Sequence, residues 1–178
     1  MNYLVFIQDS DGQDRSLGRS SISDLRLISL ENDKLAIEID DAMEYITNHQ
    51  VSYKKDGQGS IQDETDYWMS LSEDHSAVQM NGNQWKALPL NAPYNITYST
   101  VLELDIVVGQ SVDFHAVCLD WDVSASGDEC VVVQSPIDYL DNFHHMTTKL
   151  ETGVSKRLII PFGSFMVSRA HTVIVISS

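Results

Sequence analysis

Residues 101–108 read VLELDIVV, and their alternating pattern indicates the fold class of the chain. Apolar side chains occupy positions 102, 104, 106 and 108, while Glu103 and Asp105 lie between them. In an extended strand, successive side chains point to opposite faces, so a period of two separates an apolar face from a polar one. The stretch therefore predicts a β-strand with one face in a core and the other in solvent.

Short apolar segments of similar length recur along the chain and are separated by turn-forming residues. Further strands are predicted at residues 3–7, 22–30, 34–39, 67–71, 77–80, 85–90, 113–119, 130–134, 157–161 and 172–176. Turns are predicted at the Asp-Gly, Asn-Gly and Gly-Asp pairs between them. Two short helices, residues 40–47 and 141–147, complete the prediction. This pattern predicts an all-β protein, a single β-sandwich domain over residues 1–178 with jelly-roll-like topology.

Composition limits the classes of partner. The chain has 178 residues, 26 acidic against 11 basic, and a formal net charge of −15. Such a surface repels phosphate, which argues against nucleic acid and anionic lipid as partners. No apolar run approaches the roughly 20 residues of a membrane helix, so no membrane insertion is expected. A surface tuned only for solubility explains the same charge.

Aspartates dominate the acidic residues and cluster in two loops. Residues 9–14 read DSDGQD, and residues 120–122 read DWD, with a further acid pair at 128–129. Calcium prefers six to eight oxygen ligands, and a glycine permits the tight turn that gathers them. We therefore predict a Ca²⁺ cofactor, although solvated turns are the alternative. The predicted metal ligands are Asp9, Asp11, Asp14, Asp120, Asp122 and Asp128.

The two cysteines, Cys118 and Cys130, are twelve positions apart. A hairpin would bring them face to face and permit a disulfide, which belongs to an oxidising compartment. Two isolated buried thiols remain the alternative.

Trp121 is the best candidate for ligand binding among the aromatic residues. It lies between Asp120 and Asp122 at a predicted strand exit. Aromatic rings stack on the apolar faces of sugars, and neighbouring carboxylates fix hydroxyl groups. No nucleophile elbow, phosphate loop or zinc motif is present, so the sequence predicts no enzyme.

Four motifs in order are similar to those of a known module. Residues 82–90 read GNQWKALPL, residues 99–105 STVLELD, residues 114–122 FHAVCLDWD and residues 157–163 RLIIPFG. Together they resemble a β-sandwich module of secreted bacterial polysaccharide-active and adhesin-like proteins, over residues 58–178. The resemblance implies a non-catalytic, carbohydrate-binding domain with an extracellular or cell-surface location.

The order of the motifs departs from that family. Its closing motif, an apolar strand running into Asn-Asp-His-Asp, resembles residues 3–11, and residues 20–27 resemble its last strand. Residues 1–30 thus match the family's C-terminal end, ahead of the main body at 58–178. This order fits either a circularly permuted module or one that exchanges strands between copies.

Two functions follow as hypotheses. The first is a calcium-stabilised module that binds a polysaccharide or other glycan. The second is a structural subunit of an extracellular filament, sheath or adhesin, a homo-polymer joined through the terminal strands.

Overall fold

The computed structural model describes most of the chain, with gaps. The described residues are 1–9, 18–29, 52–55, 58–61, 69–74, 76–82, 84–90, 93–109, 114–121, 129–134, 144–146 and 148–170. Twelve strands and one helix are present within them. These are β1 Tyr3–Asp9, β2 Arg19–Ile28, β3 Ser52–Lys55, β4 Gln58–Ile61, β5 Met69–Leu71, β6 Ala77–Asn81, β7 Gln84–Pro89, β8 Val101–Val108, β9 Phe114–Asp120, β10 Cys130–Gln134, β11 His144–His145, β12 Ser155–Ile160 and α1 Phe162–Ala170.

Ten of these strands form two five-stranded sheets. Sheet A has the order β11-β10-β9-β1-β7, and sheet B has the order β12-β8-β2-β6-β5. The strands β3 and β4 form a separate antiparallel pair. Pairing is antiparallel throughout, except between β10 and β11. The fold is therefore an all-β sandwich, as the alternating sequence pattern predicted.

The first two strands occupy the centre of the two sheets. β1 lies between β7 and β9 in sheet A, and β2 lies between β6 and β8 in sheet B. Residues 4–8 are buried without a break, which is typical of a strand covered on both faces. Strands from residues 1–30 and from residues 58–178 thus share both sheets.

The main core lies between the sheets. It contains Leu4 and Phe6 from β1, Leu27 from β2 and the even-numbered apolar residues of β8. Full burial of each such side chain contributes roughly 1.5–3 kcal/mol. The alternation predicted for 101–108 is confirmed, because every second residue of β8 is buried.

Sheet A is also buried on its other face. Val5 and Ile7 from β1, Trp85 from β7 and Val132 from β10 belong to a second apolar cluster there. The disulfide between Cys118 and Cys130 lies in this cluster, and both residues are fully buried. The two cysteines are direct cross-strand partners on β9 and β10.

The structure differs from the predicted elements in three places. The paired strands β3 and β4 were not predicted. Residues 144–145, predicted as helix, form β11, because they pair with β10. The helix α1 was not predicted, since its sequence contains a glycine and a β-branched valine, both weak helix formers. Fully buried Phe162 anchors its first turn in the main core. The segments predicted at 34–39, 40–47 and 172–176 lie outside the described residues.

Candidate functional site

Trp121 stands at the end of β9 with an exposed side chain. Its exposed fraction is 58%, against 4% for Trp85 in the core. The Trp121 backbone N–H donates a 2.6 Å hydrogen bond to Asp120 Oδ1. Asn2 Nδ2 donates to the Trp121 carbonyl at 2.9 Å. Bonds on both sides of the residue fix its backbone, so a solvent-facing indole stands on a rigid support.

Asp120 lies beneath Trp121 rather than on the surface. Asp120 is only 2% exposed. Its carbonyl accepts a 2.7 Å hydrogen bond from the Asn2 backbone N–H. Within the described structure, Asp120 therefore holds Trp121 in place. The predicted neighbour Asp122 lies outside the described residues.

The start of β1 is tied into the same end of the sandwich. The Met1 ammonium donates to the Tyr94 carbonyl at 2.7 Å, and the Tyr94 N–H donates to the Met1 carbonyl at 2.7 Å. Burial lowers the pKa of the Met1 ammonium, and the negative charge of Asp120 opposes that shift. We call this end, with Met1, Asn2, Trp121 and the 93–100 loop, the Met1 end.

A second exposed aromatic residue lies in the loop at the Met1 end. Tyr98 is 68% exposed. Tyr98 was not among the predicted ligand-binding residues; its signal in the sequence is an aromatic residue within a run of serines and threonines between two predicted strands. The loop of residues 93–100 leads directly into β8, so Tyr98 lies close to the start of a central core strand.

A cluster of hydroxyl groups holds this loop. Thr97 Oγ1 lies 2.9 Å from Ser29 Oγ and 3.0 Å from Ser99 Oγ, and the Thr97 N–H donates to Thr100 Oγ1 at 2.9 Å. The Gly163 N–H donates to the Thr100 carbonyl at 2.8 Å. These contacts tie the loop to the end of β2 and to the first turn of α1.

Gly163 is required where α1 meets the loop. A Cβ at this position would lie 2.1 Å from the Thr97 carbonyl oxygen and 2.5 Å from that of Tyr98. Both neighbours are backbone atoms, which cannot move aside as a side chain does. The glycine therefore permits the close approach that places Tyr98.

The outer face of sheet B carries a network of charged side chains. Arg157 Nε donates to Asp105 Oδ1 at 2.5 Å, and Nη2 donates to Oδ2 at 3.0 Å. The same guanidinium pairs with Asp24 and lies 3.8 Å from Glu103. These carboxylates raise the pKa of Arg157, with the Asp105 hydrogen bond as the largest cause. Asp24 has a φ of 45° at an irregularity in β2 that the sequence did not reveal.

The predicted metal ligands are only partly within the structure. Asp120 is described as above, and Asp9 ends β1, although its side chain is not described. Asp11, Asp14, Asp122 and Asp128 lie outside the described residues. In the part of the chain that is described, no group of three or more histidines, cysteines and acids is placed to hold a metal ion. The Ca²⁺ cofactor stays a prediction.

Comparisons with other proteins add no family. No family model, no curated protein and no solved structure matches this chain. No described helix has both the length and the apolar character needed to cross a membrane. The resemblance drawn from the four motifs therefore stays a prediction.

Proposed function

We propose that this protein is a non-catalytic, calcium-stabilised carbohydrate-binding module. The observation that carries the proposal is the exposed Trp121 indole on a backbone fixed by Asp120 and Asn2. A rigid aromatic surface loses little conformational entropy when a ligand stacks on it. The apolar C–H face of a sugar ring is a suitable partner for such a surface.

The position of Tyr98 also favours the Met1 end as the binding surface. It is exposed, and the hydroxyl cluster fixes the loop that carries it. Two aromatic groups allow several weak contacts with one polysaccharide chain. Repetition of a module raises the overall affinity of such contacts by increasing the effective concentration of sites.

The surface carboxylates support a role without catalysis. A glycosidase needs two carboxyl groups across a cleft, one to donate a proton and one to act as base or nucleophile. Glu103 and Asp105 instead lie on one strand and share contacts with Arg157. These two acids therefore belong to ion pairs on a sheet face.

The disulfide supports an extracellular or cell-surface location. Disulfides such as Cys118–Cys130 persist in oxidising compartments and are rare in the cytosol. Polysaccharide ligands also occur outside the cell and on cell surfaces.

A glycan array with two matched variants tests this function. Trp121→Ala removes the proposed stacking surface, and Ile159→Ala removes a similarly exposed apolar side chain from β12. We expect the wild type and Ile159→Ala to bind a glycan and Trp121→Ala to lose at least about tenfold in affinity, or ~1.4 kcal/mol. A folded wild type that binds nothing, or a Trp121→Ala variant that binds normally, contradicts the proposal.

The second candidate is a subunit of an extracellular filament, sheath or adhesin. The observation that favours it is the edge of sheet B, where β12 pairs only with β8 among the described strands. Val154 and Ile159 are more than half exposed there. An exposed strand edge accepts a further strand by backbone hydrogen bonding.

Exchange of β1 itself is less favourable than addition at β12. Release of β1 exposes four buried apolar side chains, Leu4 to Ile7, at roughly 1.5–3 kcal/mol each. Addition of a strand at the open edge of β12 is therefore expected to be favoured over exchange of β1, which stays in its own sheet.

Size-exclusion chromatography over a range of concentrations separates the two candidates. A monomer with and without Ca²⁺ favours the binding module. Concentration-dependent polymers that dissolve in chelator favour the filament. In that case Ile159→Lys, which places a charge beside the open edge, should suppress assembly while the fold is retained.

A further inference from the structure

A row of polar side chains crosses the interior of the sandwich at the end opposite Trp121. Gln84, Gln8, His115 and Gln134 are successive cross-strand partners on β7, β1, β9 and β10. Cross-strand partners share a face of the sheet, and neighbouring strands are about 4.8 Å apart. Gln84, Gln8 and His115 therefore lie on one face of sheet A, and Gln134 is paired with His115 just beyond an irregularity in the register of β9 and β10. We call these four side chains the Gln8 row.

Gln8 shows that this row faces sheet B. Its Nε2 donates to the Gly82 carbonyl at 2.6 Å and to the Gly18 carbonyl at 3.2 Å. Its Oε1 accepts a hydrogen bond from the Ser20 hydroxyl. The three partners belong to the ends of β2 and β6, so the Gln8 amide bridges the two sheets and uses its donors and its acceptor.

The other members of the row have polar atoms that remain unpaired. Gln84 and His115 are 1% and 3% exposed. Both side-chain polar atoms of Gln84, both ring nitrogens of His115 and Oε1 of Gln134 are buried and have no hydrogen-bond partner in the described part of the chain. Most buried polar atoms in folded proteins are paired, so five orphaned atoms in one row indicate a ligand.

The chemistry of the row limits the ligand. The three side chains with unpaired atoms, two amides and one imidazole, present donors and acceptors but no charge. Burial lowers the pKa of His115 to about 3, so its ring is neutral near pH 7. An anion or a cation finds no opposite charge on these three side chains, and an apolar group leaves every polar atom unpaired. A hydroxyl group both donates and accepts and carries no charge.

We propose that the Gln8 row is an internal binding site for neutral hydroxyl groups, supplied by ordered water or by a small polyol such as a sugar. The site lies between the sheets, at the opposite end from the exposed aromatic residues. It does not depend on glycan binding at Trp121, so either assignment can fail without the other.

Gln84→Met tests the site because it replaces the amide with an apolar side chain of similar length. Gln79→Met, on the partly exposed outer face of β6, is the matched control. If a hydroxyl ligand pairs with Gln84, its loss leaves that ligand and the remaining partners unsatisfied, and the melting temperature should fall by about 2–4 °C relative to the control. Gln134→Met provides a second variant at a less buried position.

Two measurements identify the source of the hydroxyl group. Oxygen-17 relaxation dispersion counts long-lived internal water, and loss of at least one such water in Gln84→Met assigns the site to water. Titration with glucose tests the other source, and a rise in melting temperature that the wild type shows and Gln84→Met lacks assigns it to a polyol. If neither signal depends on Gln84 or Gln134, the inference is overturned.

Discussion

The hydroxyl of Ser20 on β2 donates a hydrogen bond to the side-chain oxygen of Gln8 on β1, and this bond joins the two central strands of the sandwich. Both residues are fully or almost fully buried. The two strands are consecutive in the chain but belong to different sheets. A polar bridge between them fixes how the sheets meet at one end, where apolar contacts alone specify less.

Loss of the bridge should destabilise the fold. Gln8→Leu replaces the amide with an apolar side chain of similar size and leaves the Ser20 hydroxyl and the Gly82 carbonyl without their partner. We expect the free energy of unfolding to fall by about 2–4 kcal/mol, as measured by urea denaturation. Ser20→Ala removes one bond and should cost about half as much. Equal stability of Gln8→Leu and wild type would show that the bridge contributes nothing.

Stability should depend on the charge state of His115. Its pKa in the folded protein is about 3 because burial disfavours the charged ring, while the unfolded value is about 6.5. The unfolded chain therefore binds more protons between these values, and stability is fully present above pH 6.5 and declines as the pH falls toward 3. Between pH 7 and pH 4.5 the titration of His115 should lower the free energy of unfolding by about 2–3 kcal/mol.

Urea denaturation across that pH range measures the effect in matched variants. His115→Gln removes the titrating group and should flatten the decline. His145→Gln, at an exposed histidine on β11, should retain it. A His115→Gln variant with the same slope as wild type would contradict the assignment.

Alanine at position 163 should be much less tolerated than alanine at position 153. The added Cβ at 163 meets the carbonyl oxygens of Thr97 and Tyr98, and the cost should reach about 1–3 kcal/mol or more. Gly153 has a φ of +75° but open space around it, so Gly153→Ala should cost about 1 kcal/mol from backbone strain alone. Thermal denaturation compares the two variants, and equal costs would contradict the close approach of α1 to the loop.

The Cys118–Cys130 disulfide should contribute about 2–4 kcal/mol by limiting the unfolded chain. The double variant with alanine at both positions is compared with the wild type by urea denaturation. Valine at both positions is the control for lost volume, because the pair lies in the second apolar cluster of sheet A. If both variants were as stable as the wild type, the disulfide would make no contribution to the free energy of unfolding.

Calcium should raise the melting temperature by mass action, since an ion that binds only the folded state stabilises it. At a free concentration of 100 times Kd the gain is about 2.7 kcal/mol, or several degrees. Two sets of variants distinguish the acidic loops. The double variant Asp11→Asn and Asp14→Asn removes predicted ligands from the first loop, and Asp122→Asn removes one from the second. An unchanged melting temperature in EDTA would leave both loops as solvated turns.

The layered β architecture follows from the amino-acid sequence alone, because strand alternation is a local property of neighbouring side chains. The limits of β8 and β10 follow from their apolar runs, and β8 has the alternating burial that the sequence predicted. The position of Trp121 at the end of a strand was also predicted from the sequence, since its flanking polar residues exclude it from a core strand.

Features that depend on pairing between distant residues are visible only in the folded protein. The central position of β1, the strand state of residues 144–145 and the helix α1 follow from partners far away in the chain. The same holds for Arg157 with Asp24, 133 positions apart, and for the Gln8 row, which draws one residue from each of four strands. Register between strands is set by burial of whole faces, and no local pattern encodes it.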